Sequence, residues 1–244
     1  MSNTKERERQ FHNKRYIDDK RKVLSGVYTF AQSSKSLFSK MLTNIGSGDK
    51  VLEIGCGVSS INKSIVDMGA VVTVIDLSEQ AILINKRNTP NDVNNINYLV
   101  MDAENLEFDD DSFDLIYGSG ILHHLRIEKA IVEINRVLKK GGKALFYEPL
   151  GHNVFINIFR FITPSFRSED EHPLLKEDLI LIKNKFPKTR FHYFYLLSLI
   201  LVPFNKIKIL MRLVNLIERV DKSLNKLFPF LNKYNWITVI EIKK

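Results

Sequence analysis

Apolar and polar positions change their rhythm near residue 49. Residues 1–25 are polar and charged, with Phe11, Tyr16, Val23 and Leu24 as sparse apolar points. Such a segment predicts a marginal helix or arm that needs the rest of the protein to order it. Leu37, Phe38, Met41, Leu42 and Ile45 then recur at helical spacing, and Gly46 and Gly48 end that helix. From residue 49 strands alternate with helices. Lys50–Ile54 is a short apolar strand, Ile61, Ile65 and Met68 mark one helix face ahead of Gly69, and residues 71–77 form a β-branched run of the fully buried kind. Ser78 caps a helix with Glu79 and Gln80 in its first turn and Ile82 and Leu83 as anchors. Residues 96–101, 113–117 and 143–148 supply three further strands. The helix between the last two shows the stripe Ile127, Ala130, Ile131, Ile134, Val137 and Leu138, closed by Gly141 and Gly142. Five strands with intervening helices predict a doubly wound, mostly parallel α/β sheet.

After Pro149 the alternation stops. Residues 153–162 and 174–186 read as helices separated by a charged loop, and residues 191–204 are strongly apolar, a sixth strand running into a buried segment. Residues 205–228 carry Leu210, Leu213, Val214, Ile217, Leu224, Leu227 and Phe228 on one helical face. Residues 236–242 alternate like a strand that completes a seven-stranded sheet.

Composition narrows this picture. With 244 residues, 44% of them apolar, the chain can bury one sizeable core. Its one cysteine, Cys56, excludes an internal disulfide and a cysteine-built zinc cluster, and the polar N-terminus lacks the apolar stretch of a signal peptide, so a reducing cytoplasm is expected. The net charge of +8 suggests nucleic acid until its distribution is examined. Residues 1–50 hold 11 Lys/Arg against 5 Asp/Glu, residues 205–244 hold 9 against 3, and the stretch between holds 16 against 20. Basic ends around a mildly acidic middle argue against a nucleic-acid partner.

The chemistry concentrates at residues 51–57, Val-Leu-Glu-Ile-Gly-Cys-Gly, a strand running into a Gly-x-Gly turn and then a helix. Small residues there let the backbone approach a ligand at the carboxyl end of the first strand. Nicotinamide oxidoreductases share this scaffold, but their fingerprint wants glycine at position 60, which is Ser60. Glu53, two residues before the first glycine, would repel a pyrophosphate and suits a cationic cofactor; opposite charges ~4 Å apart in a partly dry cleft interact by about 4 kcal/mol before desolvation. Asp76 ends the second strand and can accept from ribose hydroxyls in either class.

On these residues the chain resembles the class I S-adenosylmethionine-dependent methyltransferases. The resemblance runs over about residues 45–150 and the last strand. It is carried by Glu53–Gly57, Asp76, Met101-Asp-Ala103, Phe113-Asp-Leu-Ile, Leu122-His-His-Leu125 and Leu138-Lys-Lys-Gly-Gly-Lys143. It implies a Rossmann-like sheet and a set of roles. Glu53 would orient the methionine ammonium, and the backbone of Gly55, Cys56 and Gly57 would pass beneath the methionine part. Asp76 would bind the ribose with Leu77 against the adenine. Asp102 would accept from the adenine amino group, with the Ala103 amide opposite a ring nitrogen, and the backbone near Ser119 would contact the amino-acid end. The product is then S-adenosylhomocysteine, and no metal is expected. The implied division is an arm or lid (1–46), a cofactor-binding core (47–150), a substrate-cover or oligomerisation region (151–235) and a last strand (236–244).

Methyl transfer is an in-line displacement, so alignment matters most and a base is a useful addition. Candidate bases follow the fourth and fifth strands: His124, since alternation turns only one of His123 and His124 to the cleft, then Glu148 and His152. His12 and Tyr16 on the arm and Arg167 in the charged loop are candidate substrate contacts; His152, His172 and the acids of that loop match no strong metal spacing. The amphipathic, lysine-rich segment after residue 205 suits a substrate cover, a homodimer contact or a peripheral membrane contact, with Glu218 and Asp221 diluting its basic face. The expected acceptor is a small molecule methylated at oxygen, a biosynthetic, lipid-linked or surface-glycan intermediate. The rivals are a nicotinamide oxidoreductase, a member that binds without turnover, and an RNA methyltransferase.

Overall fold

The computed structural model describes residues 3–18, 31–58, 62–90, 93–164, 171–204 and 208–244. The elements run α1 (Asn3–Asp18), α2 (Gln32–Leu42), β1 (Lys50–Ile54), α3 (Asn62–Asp67), β2 (Val71–Asp76), α4 (Glu79–Asn88), β3 (Ile96–Val100), β4 (Phe113–Ser119), α5 (Ile127–Val137), β5 (Leu138–Pro149), α6 (Val154–Ile162), α7 (Lys176–Lys185), β6 (Arg190–Phe194), α8 (Lys208–Leu227) and β7 (Ile237–Lys243). They build a seven-stranded sheet in the order β3-β2-β1-β4-β5-β7-β6. The first five strands pair in parallel, and β7 runs antiparallel to both β5 and β6. The chain order reverses between β1 and β4, which opens a crevice at the carboxyl ends of these strands.

Side-chain alternation along each strand divides the core into two layers. Val51, Val72, Val74, Tyr117 and Leu145 face a layer completed by α2 (Phe38, Leu42) and α4 (Ala81, Ile82). Leu52, Ile54, Ile75, Ile116 and Phe146 face the opposite layer, with α5 (Ile127, Ile131, Ile134) and α7 (Leu179, Ile182). The Ser78 hydroxyl accepts from the Ala81 amide (3.1 Å) and caps α4 as its sequence position predicts.

Two features depart from the sequence reading, and a third gains detail. Of the 1–46 arm, α2 is a core helix, because Phe38 and Leu42 are buried against the sheet, whereas α1 packs outside this core, against α4. Strand β5 begins at Leu138 and not at residue 143, since α5 ends one residue earlier and the chain turns directly into pairing with β4. The apolar run 191–204 is, as read, a strand that runs into a buried segment. β6 stops at Phe194, Tyr195 takes φ +67°, and Ser198–Phe204 forms 3₁₀ turns.

That last bend is held by one buried acid. Asp221 of α8 accepts from the amides of Leu196 (3.1 Å), Leu197 (2.9 Å) and Ser198 (3.3 Å) and from the Ser198 hydroxyl (2.8 Å). One turn earlier, Glu218 accepts from the Ser33 hydroxyl (2.8 Å); burial pushes its carboxyl up, with that donation opposing the shift. The Tyr195 hydroxyl meets those of Ser33 (2.9 Å) and Ser34 (3.0 Å), so α2, α8 and the bend close on one another. Asp221→Ala strands several buried donors at once and should cost about 2–4 kcal/mol in urea denaturation, far more than Ser198→Ala.

Candidate functional site

At the end of β1 the chain turns through Gly55 (φ +71°) and Gly57 (φ +54°), conformations that a side chain strains. The Gly55 amide donates to the Ile75 carbonyl (2.8 Å), and a Cβ at Gly55 would stand 2.6 Å from the Ile121 side chain. The turn is tied to β2 by Asp76. One Asp76 oxygen accepts from the Gly57 amide (2.9 Å) and the other from the Ser78 amide (2.8 Å). Asn85 on α4 supports it from behind, donating to the carbonyls of Gly57 (2.6 Å) and Ala81 (2.9 Å). Glu53 is buried beside this turn; Ser59 and Ser60 lie outside the described residues. Cys56 is buried too, its sulfur 3.8 Å from Asp76. Burial, and after it the charges of Asp76 and Glu53, push its thiol well up.

Helix α1 lies across this acidic crevice. The Lys5 ammonium pairs with Asp102 just beyond β3 and with Glu104 (2.9 Å), and Asp102 also accepts from the Glu104 amide (2.9 Å). Although burial opposes it, donation from Arg126 and Lys5 holds the Glu104 carboxyl below the usual range. Further along α1, the Ser78 hydroxyl donates to Asn13 Oδ1 (2.5 Å). Between these anchors Glu8 is buried with Oε2 3.3 Å from His12 Nε2 and 3.2 Å from His124 Nδ1. The His12 and His124 rings meet edge to face with centroids 5.1 Å apart. One helix thus reaches the ends of β2 and β3 and the turn after β4. The Tyr16 side chain and Arg167 lie outside the described residues.

Two expected bases occupy other places. Glu148 is 0% exposed; one oxygen accepts from the amides of Ile121 and Leu122 (both 2.9 Å) and the other faces His123 Nδ1 at 2.8 Å. Its three contacts shape the turn that carries His124, and with no exposed surface it positions that turn and does not reach the cleft. His152 accepts the Lys176 amide on Nε2 (3.2 Å) and packs near the Tyr234 ring (6.3 Å), which makes it a cap for α7. Of the donors weighed on spacing, Glu171 alone is in a convergent group among the described residues: ligand atoms of Glu8, His12 and His124 lie within 4.8 Å of one another, as do those of His123, His124 and Glu171. Among the described residues a cleft of about 460 Å³, lined in part by Ser33, Tyr193, Lys222 and Lys226, lies elsewhere and shares no residue with the crevice, which α1 fills.

A family model described as a methyltransferase domain matches residues 52–146, the stretch from β1 to β5. A demethylmenaquinone methyltransferase of Staphylococcus saprophyticus is 30% identical over 205 residues, 76% of this chain and 86% of that protein. The chain belongs to the class I S-adenosylmethionine-dependent methyltransferases. A ubiquinone biosynthesis O-methyltransferase of Coxiella burnetii is 32% identical over 106 residues, 43% of this chain and 45% of that protein. In fold, the methyltransferase superposes on a Haemonchus contortus phosphoethanolamine N-methyltransferase in complex with S-adenosylmethionine, with a TM-score of 0.63, 17% identity, and coverage of 96% of this chain and 60% of that one. An Archaeoglobus fulgidus S-adenosylmethionine-dependent methyltransferase gives 0.59 at 16% identity, covering 87% and 94%.

The cofactor of this family is S-adenosylmethionine, and the crevice fits it. Three carboxylates, Glu53, Asp76 and Asp102, stand at the ends of β1, β2 and β3, and a cationic side chain of the same protein already pairs with one of them. Sequence reasoning missed Lys5, Glu8 and Glu104; the signal for Glu8 was its place one helical turn before His12, four residues away on the same face. Because its thiol is pushed up and buried, Cys56 in this methyltransferase should alkylate with iodoacetamide at pH 7 at least about a hundredfold slower than an unfolded control. Asp76→Asn, which removes the nearer negative charge, should speed the reaction.

Proposed function

We propose that this methyltransferase transfers the methyl group to a hydroxyl of a small, largely apolar acceptor, with His124 taking the proton. The contact between Glu8 on α1 and His124 after β4, made beside the three-carboxylate crevice, carries this reading. When bound, S-adenosylmethionine supplies an electrophilic methyl on a positively charged sulfur. Glu53 would hold the ammonium of its amino-acid end near the Ser119 backbone, and Gly55 to Gly57 would pass beneath. Asp76, whose oxygens each hold one amide, keeps acceptor capacity for the ribose hydroxyls. Leu77 and Ala103 would border the adenine. Asp102 would accept from its amino group, with Lys5 left to Glu104.

Helix α1 is then the lid of the 1–46 arm. It excludes water and brings His12 and Glu8 to the acceptor side. A carboxylate beside Nδ1 favours the imidazole tautomer with its proton there, which leaves Nε2 of His124 to accept a proton. Alignment can supply about 7–11 kcal/mol of the barrier reduction, whereas a base contributes about 10²–10⁴-fold. The names of two relatives, a demethylmenaquinone and a ubiquinone-biosynthesis methyltransferase, support a quinone-type biosynthetic acceptor over a glycan.

Titration calorimetry should show S-adenosylhomocysteine binding and no NAD binding, and Asp76→Ala should weaken the former at least about tenfold. Absence of binding to the wild type sinks the proposal. Lys5→Ala frees Asp102 and should tighten product binding about two- to fivefold, the worth of a partly exposed pair. With a hydroxylated quinol as acceptor, His124→Asn should lower kcat by about 10²–10⁴-fold while leaving S-adenosylhomocysteine affinity unchanged.

A further inference from the structure

Helix α8 sorts its side chains into three sectors. At 100° per residue, Leu213, Leu216, Val220 and Leu227 fall within an arc of about 60°, and Arg219, Lys222 and Lys226 fill the neighbouring arc of about 60°. All seven are exposed. Residues 208–234 contain only two carboxylates, Glu218 and Asp221, and both are turned inward to Ser33 and to the 196–198 amides. The outward face is therefore apolar and basic without acidic dilution, the reverse of what the sequence suggests.

A second apolar surface adjoins it. No residue of α6 is buried, and Phe155, Ile158, Phe161 and Ile162 are exposed, Phe161 to 86%. The start of α6 is bonded to the turn that follows α8, where the Asn153 amide group donates to the Tyr234 carbonyl (2.7 Å) and Phe230 stands exposed. No helix among the described residues is long and apolar enough to cross a membrane. Exposed aromatics beside an undiluted row of cations match the chemistry of an interfacial surface.

We propose that α6 and α8 dock this protein on an anionic lipid bilayer, with apolar side chains entering the interface and Arg219, Lys222 and Lys226 meeting phosphate headgroups. Lys222 and Lys226 also line the cleft of about 460 Å³, which gives a headgroup room beside the helix. The surface connects to the site: Arg160 of α6 pairs with Glu171 (3.2 Å), whose carboxylate belongs to the group around His123 and His124. A lipid-soluble acceptor would thus reach His124 along α6, and this last step alone rests on the methyl-transfer reading.

The test is flotation of the full chain, saturated with S-adenosylhomocysteine, on vesicles of 30% phosphatidylglycerol in phosphatidylcholine. The wild type should float with these vesicles and not with pure phosphatidylcholine. Lys222→Gln with Lys226→Gln should weaken partitioning about thirtyfold, at about fivefold for each charge near the surface. Phe161→Ser should weaken it by about tenfold or more. Product affinity, read by calorimetry, should stay unchanged in both variants, which separates a failure of docking from a failure of the cofactor site. Equal binding to neutral and anionic vesicles, or none, overturns the proposal. So does a dimer in gel filtration that Phe161→Ser splits while no vesicle binding is seen, which would make a second copy the occupant.

Discussion

Carboxylates that accept backbone amides hold this protein wherever the strand–helix alternation needs a fixed bend. Asp76 clamps the glycine turn after β1 to the start of α4, Glu148 shapes the turn after β4, and Asp221 pins the bend after β6. Each replaces the partners that irregular backbone loses, and each does so with a charge-assisted bond stronger than a neutral one. The three bends carry, in turn, the cofactor crevice, the His123–His124 pair and the seat of α8 at Asp221. Function is thus placed by acids whose first partners are backbone amides.

The same bonds explain what could be read from the sequence. The core strands and the acids at the ends of β1, β2 and β3 were legible because each acid lies within a few residues of its own strand, where period and position coincide. Ser78 was legible as a cap for the same reason. Glu148 was placed correctly at the strand end but assigned to the cleft, because its direction depends on how the turn after β4 folds back 26 residues away. The contact between Glu8 and His124 was out of reach, since it joins an arm to a turn more than 100 residues later. The inward direction of Glu218 and Asp221 was available in principle. On a helical wheel both share an arc with Val214, which is buried, and not with Arg219 and Lys222.

Charge then separates the two basic ends, which carry the same excess. At the N-terminal end the excess meets the acidic middle: Lys5 pairs with Asp102 and Glu104, and Arg9 pairs with Glu6 on its own helix. At the C-terminal end Glu218 and Asp221 are consumed internally, so Arg219, Lys222 and Lys226 of α8 face outward. On the proposed assignment Lys5 and the adenine amino group would compete for Asp102, so α1 would open there as the cofactor enters. At Glu8 the relation reverses, because the helix must lie down again for His124 to gain its partner. Binding and closure would therefore act one helical turn apart, at Lys5 and at Glu8 of the same helix. A cofactor that displaces Lys5 while leaving Asn13 on Ser78 would tilt α1 about its far anchor without releasing it, and the lid would admit the cofactor while remaining attached to the crevice.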